Sequence, residues 1–259
     1  MSYRQNLHTH TCYCDGKDTP RELVEQALAL GFETLGFSGH SFTSFDSSYC
    51  MSREGVRRYC EEIQTLSAEY TGKIRILLGI EQDFYADDPA LDYDYVIGSV
   101  HYIEKDGVYI PVDLSPENFT ENLSRYWDGD PYAMCRDYYA LLAQVVKRTG
   151  ADIIGHFDVI TKFNGDGSLF DENDPRYRHA AMETADALLT TGKLFEINTG
   201  AMAHGRRIVP YPAPEWIKYI AARGGKFVLS SDCHAKAFLD FSFDSLYTEY
   251  GFCLTSFSK

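Results

Sequence analysis

Short apolar runs recur along the chain, and each closes on a residue able to hold a metal. Leu35-Gly36-Phe37-Ser38-Gly39 leads into His40, Ile76-Leu77-Leu78-Gly79-Ile80 into Glu81, and Val96-Ile97-Gly98-Ser99-Val100 into His101. Ile153-Ile154-Gly155 ends at His156, and Phe227-Val228-Leu229-Ser230-Ser231 ends at Asp232-Cys233-His234. Apolar runs this short, bounded by turn residues, read as strands buried on both faces. The first instance is Asn6-Leu7-His8-Thr9-His10, with Asp15 just downstream. Residues two apart in extended backbone share a face, so the imidazoles of His8 and His10 enter one space.

Helical patterning fills the intervals. Thr19-Pro20-Arg21-Glu22 predicts a helix start: an N-cap threonine, proline in the first turn and a glutamate completing a capping box. Leu23, Ala27 and Leu30 follow at helical spacing, and Gly31 closes the element. A second helix is expected over about 52–71, with Val56, Tyr59, Cys60, Ile63 and Leu66 on one face. Before it, Ser41 to Met51 is a polar, aromatic loop too long for a simple connector and suited to a lid. Residues 104–110 predict a hairpin, and Ser115-Pro116-Glu117 predicts a helix start. Helices follow over about 130–149 and 174–191, with a strand at Leu194 to Asn198. The Pro-rich loop 200–214 opens a further helix to about 223, and Phe252-Cys253-Leu254 predicts a last edge strand.

Strand and helix alternate with no linker or composition break, which predicts a parallel α/β fold and one domain over 1–259. Seven strands carrying their polar residues at their C-terminal ends favour a closed or nearly closed barrel. An open doubly wound sheet is the alternative, but only the strands beside its switch point converge.

Composition narrows the function. The formal charge of −14 argues against a nucleic-acid partner, which is gripped by a surplus of Lys and Arg. No stretch reaches the eighteen apolar residues of a membrane span. Seven cysteines without a regular framework fit reduced thiols and a cytoplasmic location. Cys12 and Cys14 are expected to pack beside the first cluster rather than to ligate. The candidate ligands are His8, His10, Asp15, His40, Glu81, His101, His156, Asp232 and His234. Nine donors exceed the needs of one four-coordinate ion and suffice for two or three, and nitrogen with carboxylate suits zinc, manganese or iron.

In order and spacing these motifs resemble the PHP (polymerase and histidinol phosphatase) superfamily across essentially the whole chain. Gly98-Ser99-Val100-His101, Gly155-His156-Phe157-Asp158 and Glu196-Ile197-Asn198-Thr199-Gly200 look like its stand-alone histidinol-phosphate phosphatases. The resemblance implies a distorted (β/α)7 barrel with two or three divalent ions at the C-terminal ends of its strands. His8, His10, Glu81 and Asp232 would hold one ion, and Glu81 would bridge to a second held by His101 and His156. Asp15, His40 and His234 would hold a third. The implied reaction is hydrolysis of L-histidinol phosphate to L-histidinol and phosphate, a step of histidine biosynthesis.

Cations suit that chemistry: they neutralise a phosphate dianion and acidify a bridging water until hydroxide forms near neutrality. Glu81, as the bridge, and Asp232 or His234, as proton relays to the leaving alkoxide, are the candidate catalytic groups. Lys162, Arg206, Arg207 and His204 lie on loops at the expected active face and are candidates to meet the phosphate. An ammonium and imidazole would want acidic or aromatic neighbours, for which Asp46, Tyr49, Asp113 and Glu117 are available. His179, inside a helix, is expected to be structural or a surface residue. The rival readings are another PHP phosphoesterase acting on a nucleotide or small metabolite, an exonuclease-like module, and an amidohydrolase-like C–N hydrolase. Oligomeric state is not legible.

Overall fold

The computed structural model describes residues 3–90 and 92–258. In chain order the elements begin with β1 (Gln5–Asn6), α1 (Pro20–Ala29), β2 (Thr34–Phe37), α2 (Arg53–Glu69), β3 (Arg75–Asp83) and β4 (Tyr95–Ser99). A hairpin of β5 (Tyr102–Lys105) and β6 (Val108–Pro111) follows, then α3 (Pro116–Tyr126), α4 (Pro131–Leu142) and α5 (Val145–Thr149). The second half holds β7 (Ile153–Ile154), α6 (Pro175–Leu189), β8 (Leu194–Asn198), α7 (Gly200–Ala203), α8 (Pro214–Ala221), β9 (Phe227–Ser230) and α9 (Phe243–Tyr250).

Seven strands pair in parallel in the order β1-β2-β3-β4-β7-β8-β9. The ring closes through a parallel bridge between Thr9 and Cys233, where the His10 N–H donates to the Cys233 carbonyl at 3.0 Å. The fold is therefore a nearly closed barrel of seven parallel strands, as the strand-end pattern predicts, and not an open sheet. The β5–β6 hairpin is antiparallel and stands apart from the ring.

Aromatic bulk fills the barrel. Tyr95 is fully buried with Leu7, Leu77, Ile97, Ile153 and Val228, and its hydroxyl donates to the carbonyls of Leu7 and Phe37. A Cβ at Gly79 would come within 2.3 Å of the Tyr95 ring, so glycine is what lets the ring lie against β3. Phe257 closes the opposite end at 5.7 Å from Tyr95, tied to Gln5 by two hydrogen bonds.

The capping box at Thr19 and Glu22 is present as read, and so is the hairpin. Three local expectations need correction. The helix expected over 130–149 is two helices, because the Gln144 side chain takes the Ala140 carbonyl while the Gln144 N–H bonds Leu141 instead. The C-terminal edge strand reduces to a single bridge between Leu254 and Phe227. The helix α9 was not anticipated, although Phe243, Leu246 and Tyr250 carry its buried face at spacings of three and four.

Candidate metal centre

Six of the seven strands deliver a candidate ligand to the same mouth of the barrel. His8 and His10 follow β1, His40 follows β2, Glu81 lies near the end of β3, His101 follows β4, His156 follows β7, and Asp232 and His234 follow β9. All nine predicted ligands meet there, with His8, His10 and Glu81 fully buried and Asp15 and His234 facing the opening.

Three groupings are visible. His8 Nε2 lies 3.3 Å from Glu81 Oε2 and 3.4 Å from Asp232 Oδ1, and His10 Nε2 lies 3.0 Å from the same Asp232 oxygen. The other Glu81 oxygen is 3.0 Å from His156 Nε2 and 3.4 Å from His101 Nε2. Asp15 is 3.2 Å from His234 Nε2 and 3.7 Å from His40 Nε2. Two residues join groups that the sequence reading kept apart. His40 turns its Nδ1 to Glu81 Oε2 at 2.9 Å, and His10 turns its Nδ1 towards Asp15 at 3.8 Å.

These donors fit divalent cations. His8 Nε2 and Glu81 Oε2 are buried without hydrogen-bond partners, and the Nε2 atoms of His101 and His156 face each other at 3.2 Å. Lone pairs aimed at one another in a dry site are costly unless a positive charge lies between them. Without metal, protons supply that charge. Burial opposes a charged His8, yet Asp232, Glu196 and Glu81 carry its pKa well above the usual value. Burial likewise opposes charge on His101, and Glu81 and Asp83 raise it well above normal. His234 is lifted to about 8 against burial, mainly by its hydrogen bond to Asp15. Burial pulls His10 down to about 4, helped by the neighbouring His234 and His40. Glu81 and Asp232 stay well below the usual carboxylate range despite burial, because His40 and His8 face Glu81 and His8 and His10 face Asp232.

A second layer escaped the sequence reading. Glu196 holds His8 Nδ1 at 2.6 Å, and Asp83 holds His101 Nδ1 at 3.1 Å. Such partners set which ring nitrogen carries the proton and so which one faces the metal. The signal was available: Glu196 and Asn198 alternate with Phe195 and Ile197, placing two polar groups on the inner face of a buried strand. Cys14 lies 3.6 Å from His10 Nδ1, whereas Cys12 is exposed.

The cluster forms the floor of a cleft of about 530 Å³. Lys162, His204 and Arg206 line it, with Lys162 and Arg206 over the Phe163 ring at 5.8 and 5.5 Å. Lys162 pairs with Asp113 at 2.9 Å. Asp46, Tyr49 and Tyr102 also line the cleft: the Tyr102 hydroxyl donates to Asp46 at 2.7 Å, and Tyr49 stands edge-on to His40. The loop expected as a lid thus contributes Asp46 and Tyr49, and Phe45 stacks on Tyr109 of the hairpin at 3.9 Å. Arg207 is not brought to the cleft: it is buried, donating to the Thr161 carbonyl and pairing with Glu172 at 3.2 Å. Its neighbour Arg206 takes the cleft side. Glu117 lines a separate depression on α3, and His179 is exposed on α6 beside Glu183.

A family profile described as the PHP domain matches residues 6–200. The chain belongs to the PHP family. A Deinococcus radiodurans protein named "Probable histidinol-phosphatase" is 34% identical, over 91% of this chain and 88% of its own. Among solved structures, the putative histidinol phosphatase of Listeria monocytogenes superposes with a TM-score of 0.80 at 18% identity, covering 95% of this chain and 99% of that one. The Lactococcus lactis histidinol phosphate phosphatase, complexed with zinc, L-histidinol and phosphate, gives 0.71 at 22% identity, over 98% and 97%. At these identities the two structures establish the shared PHP barrel. Among the described residues, no helix is long and apolar enough to cross a membrane.

Proposed function

We propose that this chain is a metal-dependent phosphomonoesterase that hydrolyses L-histidinol phosphate to L-histidinol and phosphate, in the cytoplasm and within histidine biosynthesis. The observation that carries the reading is the cleft itself, where a cluster of nine metal donors meets a basic group on one set of loops and an acidic, aromatic group on another. The relationship over nearly the whole chain to a probable histidinol-phosphatase supports the substrate.

Two or three divalent ions bound there neutralise the phosphate dianion and supply a water of lowered pKa. The chain's own residues do the rest. Glu81 presents one oxygen to each of two imidazole groups and holds them at fixed separation. Lys162 and Arg206 grip the phosphoryl oxygens, Arg as a fork and Lys as a point charge, and His204 sits within the same group. Asp232 or His234 relays a proton to the departing alkoxide, a role supported by the position of His234 in the cleft with its Nε2 3.2 Å from Asp15. Asp46, with Tyr49 and Tyr102 beside it, takes the ammonium or imidazole of the substrate.

A substrate panel tests the reading: histidinol phosphate, a nucleoside monophosphate, a dinucleotide and a dihydropyrimidine-type amide, each with zinc or manganese. Histidinol phosphate is expected to be turned over fastest. Preference for the dinucleotide or the amide would overturn the proposal.

A further inference from the structure

Six of the seven barrel strands deliver a candidate ligand to the mouth. The exception is β8, which ends at Asn198 with none. Its inner face is nevertheless polar, since Glu196 and Asn198 are both fully buried two residues apart.

We propose that β8 is the positioning strand of the first metal group, with Glu196 fixing the ring of His8 and Asn198 carrying the constraint on to Asp232. The inference rests on reading the cluster as a metal centre. Glu196 Oε1 accepts from His8 Nδ1 at 2.6 Å and from the Ser230 hydroxyl, while Oε2 accepts from the His156 N–H at 2.8 Å and the Asn198 amide at 3.0 Å. One carboxylate therefore meets four donors drawn from four different strands or their ends. With Nδ1 committed to Glu196, the other His8 nitrogen is the one that faces Glu81 and Asp232. The Asn198 amide nitrogen also donates to Asp232 Oδ2 at 3.1 Å, and its oxygen accepts from the Gly200 N–H at 2.8 Å, which fixes the orientation of the amide. Asp232 needs such a hold, because its own backbone sits at φ +50°, a region sparsely used outside glycine.

The side-chain hold is confined to one group of ligands: Glu196 meets His156 of the second group only at its backbone N–H. Among the described residues, the side chains of Asp15, His40 and His234 have no hydrogen bond to β8, and His101 is held by Asp83 instead. Losing Glu196 should therefore weaken one ion selectively, which general damage to the barrel would not do. Glutamine in its place offers one accepting oxygen to four donors and brings an amide donor against them.

The test is zinc titration of the metal-stripped full chain against a chromophoric chelator, for wild type, Glu196→Gln and Asn198→Ala, with thermal unfolding of the metal-free forms alongside. Glu196→Gln is expected to weaken one class of zinc site about 10–100-fold and leave the others unchanged. Asn198→Ala is expected to weaken the same class by a smaller factor, and it decides the matter if Glu196→Gln does not fold. Unchanged zinc affinity in the folded variants, or equal weakening of every class, would overturn the proposal. A wild-type chain that binds no zinc would instead sink the metal-centre reading beneath it.

Discussion

Oε1 of Glu81 stands 3.0 Å from Nε2 of His156, across 75 residues of chain. Its partner oxygen faces His8 and His40 instead, so a single buried carboxylate touches two sets of imidazoles. Glu81→Gln keeps the shape and removes the charge. The expected result is loss of nearly all turnover with the fold retained by circular dichroism. A variant keeping more than about a tenth of the wild-type rate, a barrier change near 1.4 kcal/mol, would contradict the bridging role.

Asp46 is held by the hydroxyls of Tyr102 and Ser48 at the edge of the cleft. Asp46→Asn should lower kcat/KM for histidinol phosphate about tenfold, roughly 1.4 kcal/mol. Turnover of 4-nitrophenyl phosphate, which has no cation, should stay unchanged. Steady-state kinetics on both substrates checks this, and equal losses on the two would refute a role in recognising positive charge.

Arg206 and Arg207 are adjacent in sequence and differently placed: Arg206 lines the cleft and Arg207 is buried. Arg206→Ala should raise KM for the phosphate substrate and leave the melting temperature alone. Arg207→Ala removes the cation that faces Glu172 and the buried Asp158, whose pKa burial has already raised to about 7 against the pull of Arg207. Removing one partner of such a pair destabilises by about 3 kcal/mol. A thermal melt that does not move for Arg207→Ala would show that this pair holds nothing.

Protons and metal compete for the same nitrogens. His8, His101 and His234 all have pKa values raised above the usual histidine value in the metal-free chain, His234 to about 8. Below that pH an incoming ion must displace a proton, so zinc affinity should tighten by at least tenfold per pH unit between about 6 and 8. For the metal-free fold the sign is opposite: the stability due to the raised His234 pKa is complete below about 6.5 and is lost as pH rises through 8. Calorimetric titration in buffers of different ionisation enthalpy counts the released protons. A pH-independent affinity would contradict the protonated metal-free site.

Much of this was legible because strand ends follow a local rule. Buried parallel strands read as unbroken apolar runs, and the residue that ends each run lies at the barrel mouth, so Glu81, His101 and His156 could be located by inspection. The supporting carboxylates were harder to see. Asp83 and Glu196 act across 18 and 188 residues, and nothing in their local pattern names the histidine each one holds. The division between Arg206 and Arg207 depends on which way the loop after β8 turns. The break after α4 depends on a glutamine side chain competing for a backbone carbonyl, which periodicity does not record.

The central claim is that metal ions gathered at the barrel mouth hydrolyse a cationic phosphomonoester. Its most direct test is turnover of histidinol phosphate by the same preparation before and after metal stripping, with metal content measured in each state. The account predicts two or three ions per chain in the active form, a fall of at least about a thousandfold on stripping, and recovery on adding zinc or manganese. Full turnover by the stripped chain, or a fully loaded chain that leaves histidinol phosphate intact, would contradict it.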